Sequence, residues 1–204
     1  GPVLVDNNLF LSEELAQVKL SQGIAFINNL IAWKIWPTGK VDERKTPYLT
    51  PHSTEIAGLH DCPCGDVSYY NNLFTRADLT VYDECPLTVK MKGNLFLAGA
   101  APAKSEVEPQ VDPVSDTNIK VVEEADGWYL YMNVSSDWKT NKNRMPVFAQ
   151  ELGNAAIPQQ RIASAAEALK SFNIDYFGNT RKNKHHYPGP IEFRKNGMQK
   201  IKVY

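Results

Sequence analysis

Little in this 204-residue sequence points toward a charged partner. Lys and Arg number 22 against 23 Asp and Glu, a net charge of −1. With no Lys/Arg block either, neither nucleic acid nor an anionic membrane surface is expected to bind. No apolar run reaches the roughly 20 residues of a membrane-spanning helix. Cysteines are few and odd in number, three in all, which suits a reducing compartment and gives cytoplasmic as the expected location. A phosphate-binding loop, a His-Glu-x-x-His pair and an ordered Ser/His/Asp set are all missing, and no cofactor or metal is expected. Position 1 is not Met: Gly1-Pro2 leads straight into an apolar strand-like run. The chain is therefore expected to be an internal piece of a longer protein, or to carry a protease scar.

What the sequence does have is one short phrase in four copies. Asn7-Asn8-Leu9-Phe10, Asn28-Asn29-Leu30-Ile31, Asn71-Asn72-Leu73-Phe74 and Gly93-Asn94-Leu95-Phe96 each follow an alternating apolar run. The second Asn falls at 8, 29, 72 and 94, steps of 21, 43 and 22 residues. A period near twenty with a strand in every repeat marks a solenoid. So short a repeat has no room for a helix and its loops, so strand must stack on strand in a parallel β-helix. The repeated Asn then lines up at a corner, tolerating the left-handed backbone and bonding its amide to the Asn above and below.

A second strand per coil is expected at Gln17–Leu20, Thr54–Leu59 and Leu79–Tyr82. On this register the doubled step is one ordinary coil plus an insertion, roughly Ala32 to Pro51, and loops on a rigid scaffold carry binding groups. Cys64 and Cys85 fall one rung apart, within disulfide reach. Unbonded neighbours, or a zinc site with His60, Asp61 and Cys62, are the alternatives. A coil of full width at the chain start exposes an uncapped sheet edge, which implies an N-terminal segment or partner chain completing the β-helix. A homo-oligomer is also expected.

After Phe96 the repeat stops, and the segment from Ala98 to Pro113, rich in Ala, Pro and acidic residues, reads as a linker. Asp126-Gly127 between two strand-like runs predicts a hairpin, Ser164–Lys170 a short capped helix, and Lys195-Asn196-Gly197 a second hairpin. The chain thus divides into β-helix coils over 1–105 and an antiparallel, sandwich-like capping unit over 106–204, all-β throughout.

The insertion concentrates Trp33, Trp36, Arg44, Tyr48 and His52. Aromatic faces stack on the apolar faces of sugar rings while Arg, His and carboxylates bond hydroxyls. Candidate substrate-binding residues are Trp33, Trp36, His52, Glu55, Lys19 and Gln22. The plainer alternatives are Trp side chains that glue the loop to the body and a Glu55 that is merely solvated.

Val5–Ser12, Ser21–Ala25, Thr46-Pro47-Tyr48, Pro51–Leu59, Tyr70–Phe74 and Ala125–Leu130 together resemble the C-terminal third of bacterial β-xylosidases of glycoside hydrolase family 120. That resemblance implies a right-handed parallel β-helix with a β-sandwich beside it. It also implies exo-cleavage of xylo-oligosaccharides by double displacement, from a nucleophilic Asp and an acid/base Glu on consecutive coils. Both acids would lie just before Gly1, so no catalytic residue is assigned within this sequence. Retaining enzymes need carboxyl groups about 5–5.5 Å apart, close to the roughly 4.8 Å between stacked coils. Lys19, Gln22, His52 and Glu55 would then continue the same face. The other readings are a non-catalytic carbohydrate-binding or structural β-helix, and a pectate-lyase-type lyase, for which the coils have no calcium-binding Asp cluster.

Overall fold

The computed structural model describes residues 2–16, 22–35, 41–50, 52–115, 117–163, 171–181 and 185–204. The first coil runs through β1 (Val3–Asp6), β2 (Leu9–Phe10) and β3 (Glu14–Ala16). The second uses β4 (Ile24–Ile27), β5 (Leu30–Ile31) and β6 (Lys34–Ile35). Next, β7 (Asp42–Leu49) and β8 (Ile56–Cys62) leave the coil as an antiparallel hairpin. Coiling resumes with β9 (Val67–Tyr70) and β10 (Leu73–Thr75), then β11 (Val89–Lys92) and β12 (Leu95–Leu97), then β13 (Glu106–Val107) and β14 (Gln110–Asp112). The strands stack into two parallel sheets, ordered β1-β4-β9-β11-β13 and β14-β12-β10-β5-β2. A narrower third side carries the β3–β6 pair and a parallel bridge between Asp78 and Ala101.

The Asn column forms, with its two duties divided between neighbouring residues. The second Asn of each phrase points inward. Asn8 Nδ2 donates to Asn29 Oδ1 (3.1 Å), Asn29 Nδ2 to Asn72 Oδ1 (3.0 Å) and Asn72 Nδ2 to Asn94 Oδ1 (3.1 Å). The backbone N–H of each donates to the same oxygen. The left-handed backbone belongs instead to the first position, at Asn7, Asn28 and Asn71 (φ 55°, 55°, 57°) and Gly93 (φ 72°). These outer Asn side chains donate to Ile174 O, Phe172 O and Met145 O, tying the C-terminal half to the corner. Gly93 replaces Asn in the fourth copy because a Cβ there would sit 2.4 Å from Asn71 Oδ1 and 3.2 Å from Arg144 Cα.

Three cores follow from strand alternation, with successive side chains on opposite faces. Phe26, Tyr69, Phe74, Phe96 and Met91 fill the coil interior, where Phe26 stacks on Tyr69 and Phe74 on Phe96, at 4.9 and 5.2 Å between centroids. The outward Leu30, Leu73, Leu95 and Leu97 are covered by an antiparallel sheet of β15 (Lys120–Glu124), β16 (Gly127–Val134) and β17 (Gly197–Lys202) through Leu130, Met132 and Val134. Sheet therefore packs on sheet. The outward Ala25, Ile27 and Tyr70 pack on Val147 and Phe172 and on the short helix α1 (Ala149–Leu152).

Several sequence expectations are corrected. The segment from Ala98 to Pro113 is a further coil rather than a linker, and parallel pairing passes residue 105 to run through β14. Its buried Glu106 takes the ladder position that Asn holds elsewhere, accepting from Asn94 N (3.2 Å) and Asn94 Nδ2 (2.5 Å). Thr54–Leu59 supplies no coil strand, because Ile56–Cys62 finds a closer partner in Asp42–Leu49 across a short turn. The insertion thus reaches Cys62. Leu79–Tyr82 is not a strand: Thr80–Glu84 forms a 3-10 turn, and the buried Tyr82 hydroxyl meets the Tyr69 hydroxyl at 2.7 Å. At the C-terminus, β17 pairs with β16 and leaves Ile191 and Phe193 as core residues, so the second hairpin does not form. The Asp126-Gly127 hairpin does form. Gln17–Leu20 and the helix expected at Ser164–Lys170 lie outside the described residues.

Cys64 and Cys85 are joined in a disulfide between adjacent turns, Cα atoms 5.0 Å apart, which removes both from any zinc site.

Candidate functional site

The hairpin stands off the coil and encloses, with a loop from the C-terminal half, a cleft of about 940 Å³. Thr46 and Tyr48 of β7, with their neighbours Pro47 and Leu49, and His60 and Cys62 of β8 line the cleft, with His52, Ser53 and Thr54 contributed by the connecting turn. The turn closes through Thr50 N to Glu55 O (2.9 Å) and Ser53 N to Thr50 O (3.1 Å), with His52 in the left-handed region at φ 57°. The opposite wall is Gln22 together with Ile157, Pro158 and Gln160. Two contacts fix that loop. A Cβ on Gly23 would lie 2.4 Å from Ala155 Cβ, and Asp66 Oδ2 accepts from Ala156 N at 2.6 Å. Burial pushes the Asp66 carboxyl up, and hydrogen bonds from Ala156 and Gly23 partly offset it.

Within the hairpin the Tyr48 and His60 rings sit 5.3 Å apart at 51°. The His60 ring is bonded through Nδ1 to Asp61 O. Cys62 donates its thiol hydrogen to Thr46 Oγ1 (3.1 Å), and Gln22 Nε2 donates to Pro63 O (2.6 Å). Two ion pairs form within the hairpin, Lys45 with Asp61 (2.7 Å) and Arg44 with Asp42. Among the described residues, the cleft lining holds no Asp, Glu, Lys or Arg. Such a surface can bind hydroxyls, but it cannot supply the carboxyl pair that glycoside cleavage requires.

Of the residues singled out in the sequence, Gln22 and His52 line this cleft. Glu55 is exposed on the turn and outside the lining, its N–H bonded to Ser53 Oγ (2.9 Å). Trp33 is half-buried on the coil beneath the Arg76 guanidinium, 4.4 Å from the ring centroid, and outside the described cleft lining. Lys19 and Trp36 lie outside the described residues. Sequence reasoning passed over Thr46 and the 157–160 loop. The alternation of Thr46 and Tyr48 along β7 could have revealed the first. Nothing local marks the second, which reaches the cleft only through the docking of the C-terminal half.

No protein-family model matches the chain, and no curated protein matches it. Among solved structures, the complex of XylC with xylose superposes with a TM-score of 0.85 at 26% identity, over 98% of this chain and 36% of XylC. The chain therefore shares, across nearly its whole length, the fold of about a third of a protein that was solved with xylose bound.

Proposed function

We propose that this chain is the C-terminal part of a retaining exo-glycosidase, a β-xylosidase of the family 120 kind acting on xylo-oligosaccharides. Its nucleophilic Asp and acid/base Glu would lie on coils preceding β1. The carrying observation is the match over 98% of the chain to a protein holding xylose. The stacked coils support it: Nδ2 of Asn29, Asn72 and Asn94 each donates to a carbonyl one coil back, at Val5, Phe26 and Tyr69, so coil follows coil in a fixed register. Neighbouring coils about 4.8 Å apart, each holding one acid, would bring the pair near the separation that double displacement uses. Gln22 and His52, which line the hairpin cleft, would contact sugar beyond the reacting bond. The lack of Asp, Glu, Lys and Arg among the described residues of the cleft lining equally favours a second reading, a non-catalytic carbohydrate-binding β-helix.

Hydrolysis of an aryl β-xyloside separates the two. The 204-residue chain alone should show no turnover, and the protein extended by the preceding coils should show it. Turnover by the chain alone refutes the placement of the acids, and an inert extended protein refutes the glycosidase reading.

A further inference from the structure

The hairpin cleft has a composition of its own. One wall is an aromatic ring, Tyr48, whose phenol end lies over Gly58. A Cβ at position 58 would come within 2.8 Å of the hydroxyl and 3.0 Å of Cζ. The directly opposed Tyr48 and Gly58 of the β7–β8 ladder place the ring there, since only a residue without a side chain leaves the room. His60, two residues along β8 on the same face, tilts against the ring at 5.3 Å. Around this platform stand hydroxyl, amide and imidazole groups, among them Thr54, His52 and Gln160, with no Asp, Glu, Lys or Arg among the described residues of the lining. Those residues offer a bound ion no carboxylate, ammonium or guanidinium counter-charge. A neutral molecule with many hydroxyls and one apolar ring face would find both partners it needs. At about 940 Å³ the cleft lies at the upper end of the range for small-molecule sites, room for more than one sugar ring.

We infer that this cleft is a subsite for a neutral oligosaccharide, with Tyr48 as the stacking platform and Gly58 as the residue that sets its position. The site rests on the glycosidase reading only for the identity of the sugar, a β-linked xylose chain. It takes the part of the chain remote from the bond being cut, and it binds whether or not the reacting acids are present.

The test is titration of the 204-residue chain with xylotriose, followed by calorimetry. Wild type should bind, and Tyr48→Ala should weaken binding at least tenfold. Tyr48→Phe should retain most of the affinity because the ring remains. Gly58→Val keeps Tyr48 but displaces it, and should lose affinity like Tyr48→Ala. Trp33→Ala, on the coil beneath Arg76, should bind as wild type, and a trimer of galacturonate should not bind. No xylotriose binding by wild type, equal binding by Tyr48→Ala, or equal binding of the galacturonate trimer overturns the proposal. Circular dichroism of each variant identifies unfolding, and a Tyr48→Phe variant that is folded yet as weak as Tyr48→Ala also overturns the stacking role. Xylotriose binding together with an inert extended protein would remove the glycosidase reading and leave the subsite standing. Xyloside turnover with Tyr48→Ala binding unimpaired would do the reverse.

Discussion

The corner column and the hairpin are held in opposite ways. At the corner, Asn29, Asn72 and Asn94 are fully buried, and each repeats the same bonds to the coil on either side. In the hairpin, β7 and β8 pair only with each other among the described residues. Ile56 and Leu59 are 59% and 61% exposed, and an isolated two-stranded ribbon is marginal in water. The difference teaches where stability and function part company. Repetition supplies stability, because every coil reuses its neighbour's geometry. The cleft is assembled where repetition is interrupted.

Substitution should separate the regions. Asn72→Ala removes two accepted and two donated hydrogen bonds at once, leaving Asn29 N–H and one Nδ2 hydrogen of Asn29 unpaired in the core, while Asn94 Oδ1 keeps the Asn72 N–H. At roughly 1–3 kcal/mol for each buried group left unpaired, the loss should reach about 4 kcal/mol, a large share of a domain's stability. Asn28→Ala, at the outer position, loses one bond to Phe172 O and adds left-handed strain, and should cost about half as much. Urea denaturation of the two variants checks the ranking. Equal losses would show that the inner column has no special weight.

A smaller effect is expected where the ladder ends. Burial raises the Glu106 carboxyl from 4.5 to about 7, against hydrogen bonds from Asn94 and the charge of Arg144. The folded protein therefore holds this proton more tightly than the unfolded chain does. That contribution is fully present below about pH 4.5 and is lost as pH rises through about 7, a change of up to about 3 kcal/mol. Glu106→Gln should flatten this part of the stability–pH curve and be the more stable form at pH 8. Denaturation midpoints from pH 5 to 8 for both proteins measure it, and parallel curves would assign the slope to other groups.

The sequence made the coils legible because their physics is periodic. One Asn every 21 or 22 residues, in phase with an apolar run, has few explanations besides stacking. The division of labour between Asn28 and Asn29 was less visible, because both residue types tolerate a corner and only the backbone shows which one is left-handed. Glu106 hid for a related reason: a carboxylate in an Ala- and Pro-rich stretch looks solvated until its partner Asn94 is seen. The hairpin was half-read. Thr54–Leu59 has strand character, but composition cannot say whether a strand pairs with the coil above or with its own neighbour. The 157–160 wall was illegible, since it reaches the cleft through contacts made far away in sequence, such as Ala156 on Asp66, 90 residues apart.

Hydrogen exchange of the 204-residue chain with and without xylotriose tests most directly whether a locked scaffold carries a separate sugar-binding hairpin. Amides of β4, β5, β9 and β10 should exchange slowly in both conditions. Those of β7 and β8 should exchange far faster in the free chain and slow when xylotriose is added. Equal protection of coils and hairpin in the free chain, or a sugar response confined to the coils, would contradict the account.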